Sequence, residues 1–314
     1  MSGWFLLGAP WDSSGSRRGE ERAPGALRAA GLAGRVAVDL GDAATVIGGE
    51  TRDPATGVRA LPDTLAATRA LAEALAHGMR AHPELRPLVV GGDCSLLLGV
   101  FAHLRRAHGD VGLWLVDGHP DYVDAQASDT GETADMEFAA LTGAGPAVLA
   151  GRQVVVADDE VLPGRQGRSD EIAETAPMVA SRHAALIGHR TTDLDAGAVA
   201  ELARVPRDVL TIDARAVVDD PGAAGRRAAA WAAGLGVPMW LHVDVDVLDP
   251  SALPAVTYPQ AGGPDLDDLA DLLAPLAAAP GLIGVSVADF RPDLDPDGRH
   301  ANRLVALLDQ ALWT

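Results

Sequence analysis

Short runs of apolar residues alternate along the chain with longer segments in which apolar positions recur at helical spacing. The runs are 3–8 (GWFLLG), 36–40 (VAVDL), 87–91 (PLVVG), 112–116 (GLWLV), 154–157 (VVVA), 185–188 (ALIG), 209–212 (VLTI), 239–245 (MWLHVDV) and 282–287 (LIGVSV). Near-continuous apolarity over so few residues predicts strands covered on both faces, as in a parallel sheet. Between them the spacing predicts helices over 61–82, 96–108, 196–204, 221–235, 266–279 and 302–312. Strand and helix in alternation is the βαβ pattern, so the expected class is α/β, with chemistry at the carboxyl ends of the strands. No repeat or long linker separates two cores, and residues 1–314 are expected to form one domain. The polar stretch 158–176 is expected to be a surface excursion.

Charge narrows the list of partners. Lys and Arg number 25 against 44 Asp and Glu, a net charge of −19. So acidic a chain lacks the basic footprint that nucleic acid or an anionic membrane surface requires, and it suits a cationic small molecule. Its one cysteine excludes an intramolecular disulfide and fits a reducing cytosol. The apolar N-terminus has no basic n-region, Asp12 arrives too early for a secretory leader, and no run reaches membrane-helix length. A cytoplasmic location is expected.

The informative acids stand just after strands. Gly91-Gly92-Asp93-Cys94-Ser95 follows PLVV, Asp117-Gly118-His119-Pro120-Asp121 follows LWLV, and Asp244-Val245-Asp246-Val247-Leu248-Asp249-Pro250 ends MWLHV. Each has a bland reading: a helix cap, a proline-initiated turn, an inert buried thiol. Together they are harder to dismiss, because clustered carboxylates repel unless a cation offsets them. Alternate positions of an extended segment face the same way, which predicts convergence of Asp117, His119 and Asp121, and of Asp244 with Asp246. These ligand types suit a pair of divalent ions bridged by water.

In order and spacing the three segments resemble the ureohydrolase (arginase–agmatinase) family, whose signatures are G-G-D-H-S, D-A-H-x-D and S-x-D-V-D-x-x-D-P. Here they read GGDCS (91–95), DGHPD (117–121) and HVDVDVLDP (242–250). The opening Leu7-Gly8-Ala9-Pro10, with Ala23 to Arg28, and the closing VSVADFRP (285–292) extend the resemblance over nearly the whole chain. It implies a three-layer α/β sandwich, mostly parallel, with helices on both faces, often assembled into trimers or hexamers. It also implies two divalent metal ions, mostly Mn²⁺. One would be held by Cys94, Asp117, Asp121 and Asp244, the other by Asp117, His119, Asp244 and Asp246. The activity implied is hydrolysis of a C–N bond in a guanidino-type substrate by a metal-bridging hydroxide. Asp121 would orient that nucleophile, Asp246 would pass a proton to the departing amine, and Asp289 would face the guanidinium.

Four departures bear on that expectation. Cys94 replaces the GGDHS histidine, and its softer sulfur admits Zn²⁺, Fe²⁺ or Co²⁺ beside Mn²⁺. Asp289 stands where the family has a longer glutamate. Val123 replaces an asparagine that binds the substrate carboxylate in arginase proper, and Ala134 aligns with a proton-handling histidine. In IGHRTTD (187–193) only the last acid, Asp193, is kept. Asp193 is expected either to meet a substrate ammonium or to cap the helix beginning near Ala196. These changes make arginine a less natural substrate than a less basic N-hydroxyguanidine such as Nω-hydroxyarginine. Two other readings stand beside this one: a catalytically impaired homologue that binds metal or ligand, and a deacetylase-type amidohydrolase with one metal.

Overall fold

A computed structural model describes residues 3–150 and 177–313. Its centre is one eight-stranded sheet in the order β2-β1-β3-β8-β7-β4-β5-β6, with every pairing parallel. The strands are β1 (Trp4–Ala9), β2 (Val38–Asp42), β3 (Arg86–Gly91), β4 (Gly112–Val116), β5 (Ala184–Ile187), β6 (Leu210–Ile212), β7 (Met239–Asp244) and β8 (Leu282–Ala288). Around them lie α1 (Ala23–Ala29), α2 (Leu61–Ala81), α3 (Leu96–His108), α4 (Glu137–Leu141), α5 (Ala196–Leu202), α6 (Ala214–Asp219), α7 (Pro221–Leu235), α8 (Leu266–Ala277) and α9 (Arg299–Leu312).

Alternation along each strand sends neighbouring side chains into two separate cores. Trp4 and Leu6 of β1, Leu88 and Val90 of β3, and Leu241 and Val243 of β7 pack with α1, α7, α8 and α9 on one face. Phe5 and Leu7, Val89, and Leu113 and Leu115 pack with α2, α3 and α4 on the other. Helices thus cover both faces, giving the three layers expected. The central strands are almost entirely buried, whereas β2 and β6 at the two edges are only partly covered. The predicted strand at 154–157 and the surface excursion at 158–176 lie outside the described residues. The spacing missed three short helices, α1, α4 and α6, each too brief to show a period.

Connectivity matters more than strand count for the site. From β3 the chain passes two sheet positions before laying down β4, and β8 and β7 later fill them. In open α/β sheets, loops at the carboxyl ends diverge at such a switch and leave a crevice. The three acidic motif segments and Asp289 end up there, after the adjacent strands β3, β8, β7 and β4. Among the described residues, no helix is long and apolar enough to cross a membrane.

Candidate metal centre

The GGDCS turn is held by close backbone approach. A side chain at Gly92 would put its Cβ 1.6 Å from the Trp11 carbonyl oxygen, so only glycine fits. The buried Trp11 indole donates to Ser95 Oγ at 3.1 Å, and Asp289 N–H donates to the Gly92 carbonyl at 2.7 Å. These contacts fix Cys94 over the end of β3.

Three overlapping donor groups form in the crevice, each with its ligand atoms within 4.8 Å of one another: Cys94–Asp117–Asp244, Asp117–His119–Asp246 and Asp244–Asp246–Asp289. Cys94 Sγ donates to Asp244 Oδ2 at 2.7 Å, and His119 Nδ1 lies 2.7 Å from Asp246 Oδ2. The convergence does not come from extended alternation, as the sequence had suggested. Asp121 takes a left-handed φ of 47°, and Asp246 sits in a tight turn where its N–H donates to Asp244 Oδ1 at 2.6 Å. Bent segments aim the acids, and Asp121 therefore falls outside the three groups. It instead faces Asp117 on one side and Glu137 on the other.

Glu137 is the acid the motifs did not supply. It opens α4 fully buried, and neither of its carboxylate oxygens meets a donor; nor does Asp117 Oδ2. The only sequence signal is a charge inside the otherwise apolar run MEFAAL. Buried oxygens without donors, facing other carboxylates, are what a cation site leaves when nothing neutralises it.

The electrostatics agree. Burial, then the neighbouring Asp246 carboxylate, pushes Asp117 up to about 8, and the same two causes bring Asp289 to about 7. Burial drives Asp121, Asp244, Glu137 and the Cys94 thiol well above their ordinary values, with nearby acids adding to it. For His119, burial pulls downward, but the Asp246 carboxylate prevails and holds the half-buried ring at about 9. Asp246 itself is held low: burial opposes its charge, and the His119 contact outweighs that.

A second acidic cluster adjoins the first. Asp12, Glu20 and Asp93 also bring oxygens within 4.8 Å of one another. Arg18 reaches in with contacts of 3.2 Å to Asp12, 3.7 Å to Glu20 and 2.7 Å to Glu132.

Asp193 is likewise exposed, at φ 57°, and belongs to none of these groups. It does not cap the following helix: Asp195 does, accepting from Ala198 N at 2.8 Å. The same loop supplies something the motif search passed over. Arg190, buried, donates to the carbonyls of Val247 at 2.8 Å and Gln260 at 2.7 Å, and also to Gly188 and Leu248. It clamps the turn that carries Asp246. Arg190→Met is expected to cost roughly 2–4 kcal/mol, because several buried carbonyls lose their donor together. Denaturant unfolding measures this, and a loss below about 1 kcal/mol would mean that water replaces the clamp.

Comparison with known proteins bears on this geometry. The model of the arginase family matches residues 2–313. The arginase of Brucella melitensis biotype 1 is 26% identical over 322 residues, covering 98% of this chain and 95% of that protein. An N(omega)-hydroxy-L-arginine amidinohydrolase of Streptomyces lavendulae is 27% identical over 224 residues, 70% of this chain and 66% of that one. The native structure of Bacillus caldovelox arginase superposes with a TM-score of 0.82 at 25% identity, over 100% of this chain and 99% of that one.

Proposed function

The chain belongs to the arginase family, and on that premise we propose that it is a metal-dependent hydrolase cleaving a C–N bond of a cationic guanidino-type substrate. The observation that supports this most is the set of overlapping donor groups, two of which share Asp117, bordered by buried carboxylate oxygens that meet no donor. Family members normally carry paired divalent ions, usually Mn²⁺, and the residues here fit such a pair. Cys94, Asp117 and Asp244 would hold one, with Asp121 beside them; Asp117, His119, Asp244 and Asp246 would hold the other. Bound there, the ions supply Lewis acidity and acidify water.

The protein's own groups do the rest. Asp121, held at a left-handed backbone angle, orients the attacking water. The Asp246 carboxylate, now paired with His119, takes up the proton that the attacking water gives up and hands it to the departing amine, which must leave protonated. Asp289, with its Oδ2 held by Thr257 N at 3.2 Å, faces the guanidino carbon's nitrogens. Its short side chain, together with Ala134, favours an N-hydroxyguanidine over a guanidinium, since a less basic group asks less of both. Asp193, exposed in its loop, meets the ammonium at the substrate's far end. The working form is a single domain per chain, assembled into trimers or hexamers. Groups sharing Asp117 favour paired ions over the one-metal amidohydrolase.

Purified protein supplied in turn with Mn²⁺, Co²⁺ and Zn²⁺ is expected to release urea or hydroxyurea from arginine, agmatine, guanidinobutyrate or Nω-hydroxyarginine, the last being fastest. Silence with all four substrates under every metal would overturn the activity and leave a binding homologue.

A further inference from the structure

His242 and Cys94 depart from the family motifs together. The leading serine of S-x-D-V-D is His242, and the histidine of G-G-D-H-S is Cys94. In the fold these positions meet: His242 is fully buried in β7, with Nε2 3.1 Å from Cys94 Sγ. An imidazole has thus left one side of the pocket and reappeared on the other, with sulfur between it and the acids.

The hydrogen bonds around this ring have one consistent direction. The Trp240 indole can only donate, and Ser286 Oγ accepts at 2.8 Å. The Cys94 thiol donates to Asp244 Oδ2, so its sulfur is left to accept from the ring. Nε2 therefore carries the imidazole proton, and Nδ1 accepts from the Ser286 hydroxyl at 2.7 Å. Trp240, Ser286, His242, Cys94 and Asp244 form a single donor chain that ends on a carboxylate, and Nε2 has no capacity left for a metal.

We propose that His242 is a positioning residue whose Nε2–H holds the Cys94 sulfur as a thiolate donor, making the Cys94–Asp117–Asp244 group select a thiophilic divalent ion over Mn²⁺. Loading replaces the S–H bond by a sulfur–metal bond and releases the proton to water, while the Nε2–H bond to sulfur is kept. A thiolate prefers Zn²⁺ or Co²⁺ to Mn²⁺, and hydrogen bonds from outside a ligand set orient its members and tune their donor strength. The proposal rests on the reading that this group binds a cation.

Cobalt(II) titration of the full-length chain tests both steps separately. The unmodified protein is expected to show a near-ultraviolet thiolate-to-cobalt charge-transfer band, and Cys94→Ser to lose it. In His242→Ala the band moves to longer wavelength, because the sulfur lone pair is no longer stabilised, and Co²⁺ affinity falls roughly 10–100-fold. His242→Gln, which can still donate an N–H, restores much of both. Ser286→Ala leaves the ring and sulfur in place but frees the tautomer, giving a smaller shift in the same direction; it decides the matter should His242→Ala fail to fold. A band and affinity that these changes leave alone would overturn the role of His242 and spare the metal reading. Cobalt bound without any band would exclude the sulfur as a ligand. No cobalt bound at all would bring down the metal reading itself.

Discussion

Replacing Asp244 by asparagine is expected to lower turnover by about a thousandfold or more, equivalent to ~4 kcal/mol of barrier. The residue is shared between two donor groups, one with Cys94 and Asp117 and one with Asp246 and Asp289. It also accepts the Cys94 thiol and the Asp246 N–H. Asparagine keeps the shape and can still accept, but it removes a negative charge from the place where the proposed ion pair would need it. Metal content is therefore expected to fall from about two per chain towards one or none. Stability should go the other way. Without metal, Asp244 is a buried acid repelled by Asp246 and Asp289, so the metal-free variant is expected to melt no lower than the parent. Steady-state rates, elemental analysis and melting curves of the stripped proteins measure the three effects. Metal-dependent turnover within tenfold of the parent would show that Asp244 is not a ligand.

A second large effect is a pH dependence that metal reverses. Asp117, pushed up to about 8, and Asp289 and Glu132, each at about 7, bind protons more tightly folded than unfolded. Burial is the first cause for all three. A raised acid contributes stability that is fully present below its unfolded pKa near 4 and is lost as pH climbs through the folded value. His119, at about 9, contributes in the same sense: its share is complete below about 6.5 and gone above 9. Asp246, held low, works oppositely and needs a pH above about 4. The stripped protein is thus expected to be most stable near pH 4 and to lose several kcal/mol by pH 9. Divalent ions supply the charge that protons supplied, and they compete with those protons, so the loaded protein gains stability over the same rise. Thermal melts across that range, with and without chelator, should diverge as pH increases. Parallel curves would mean that the acids do not share one cation-binding pocket. Glu137→Gln, by taking a charge from beside Asp121, should flatten the metal-free curve.

How the motifs became a site is plainest at Asp121 and Asp289. Both were legible as residues, but their aim was not, since each sits at a positive φ that no alternation rule anticipates. Glu137 was illegible for another reason. It lies 16 positions beyond Asp121 in a segment without period, and only folding sets the two carboxylates against each other. Arg18, Glu20 and Asp12 form a cluster whose members carry no spacing pattern at all. Asp195 rather than Asp193 caps its helix, a displacement of two residues that depends on where the chain turns after β5.

Local chemistry is written along the chain: apolar runs make buried strands, apolar spacing makes helices, and acids after strands place ligands at one rim. The sequence alone therefore determined the α/β class, the three motif segments and the family resemblance. Which strands stand side by side was decided only by the tertiary structure. Returning β7 and β8 between β3 and β4 makes distant segments neighbours, and burial there turns ordinary acids into a field that calls for cations. Pairing across 148 positions, as between His242 and Cys94, depends on that arrangement, because no short-range rule of periodicity or propensity reaches so far.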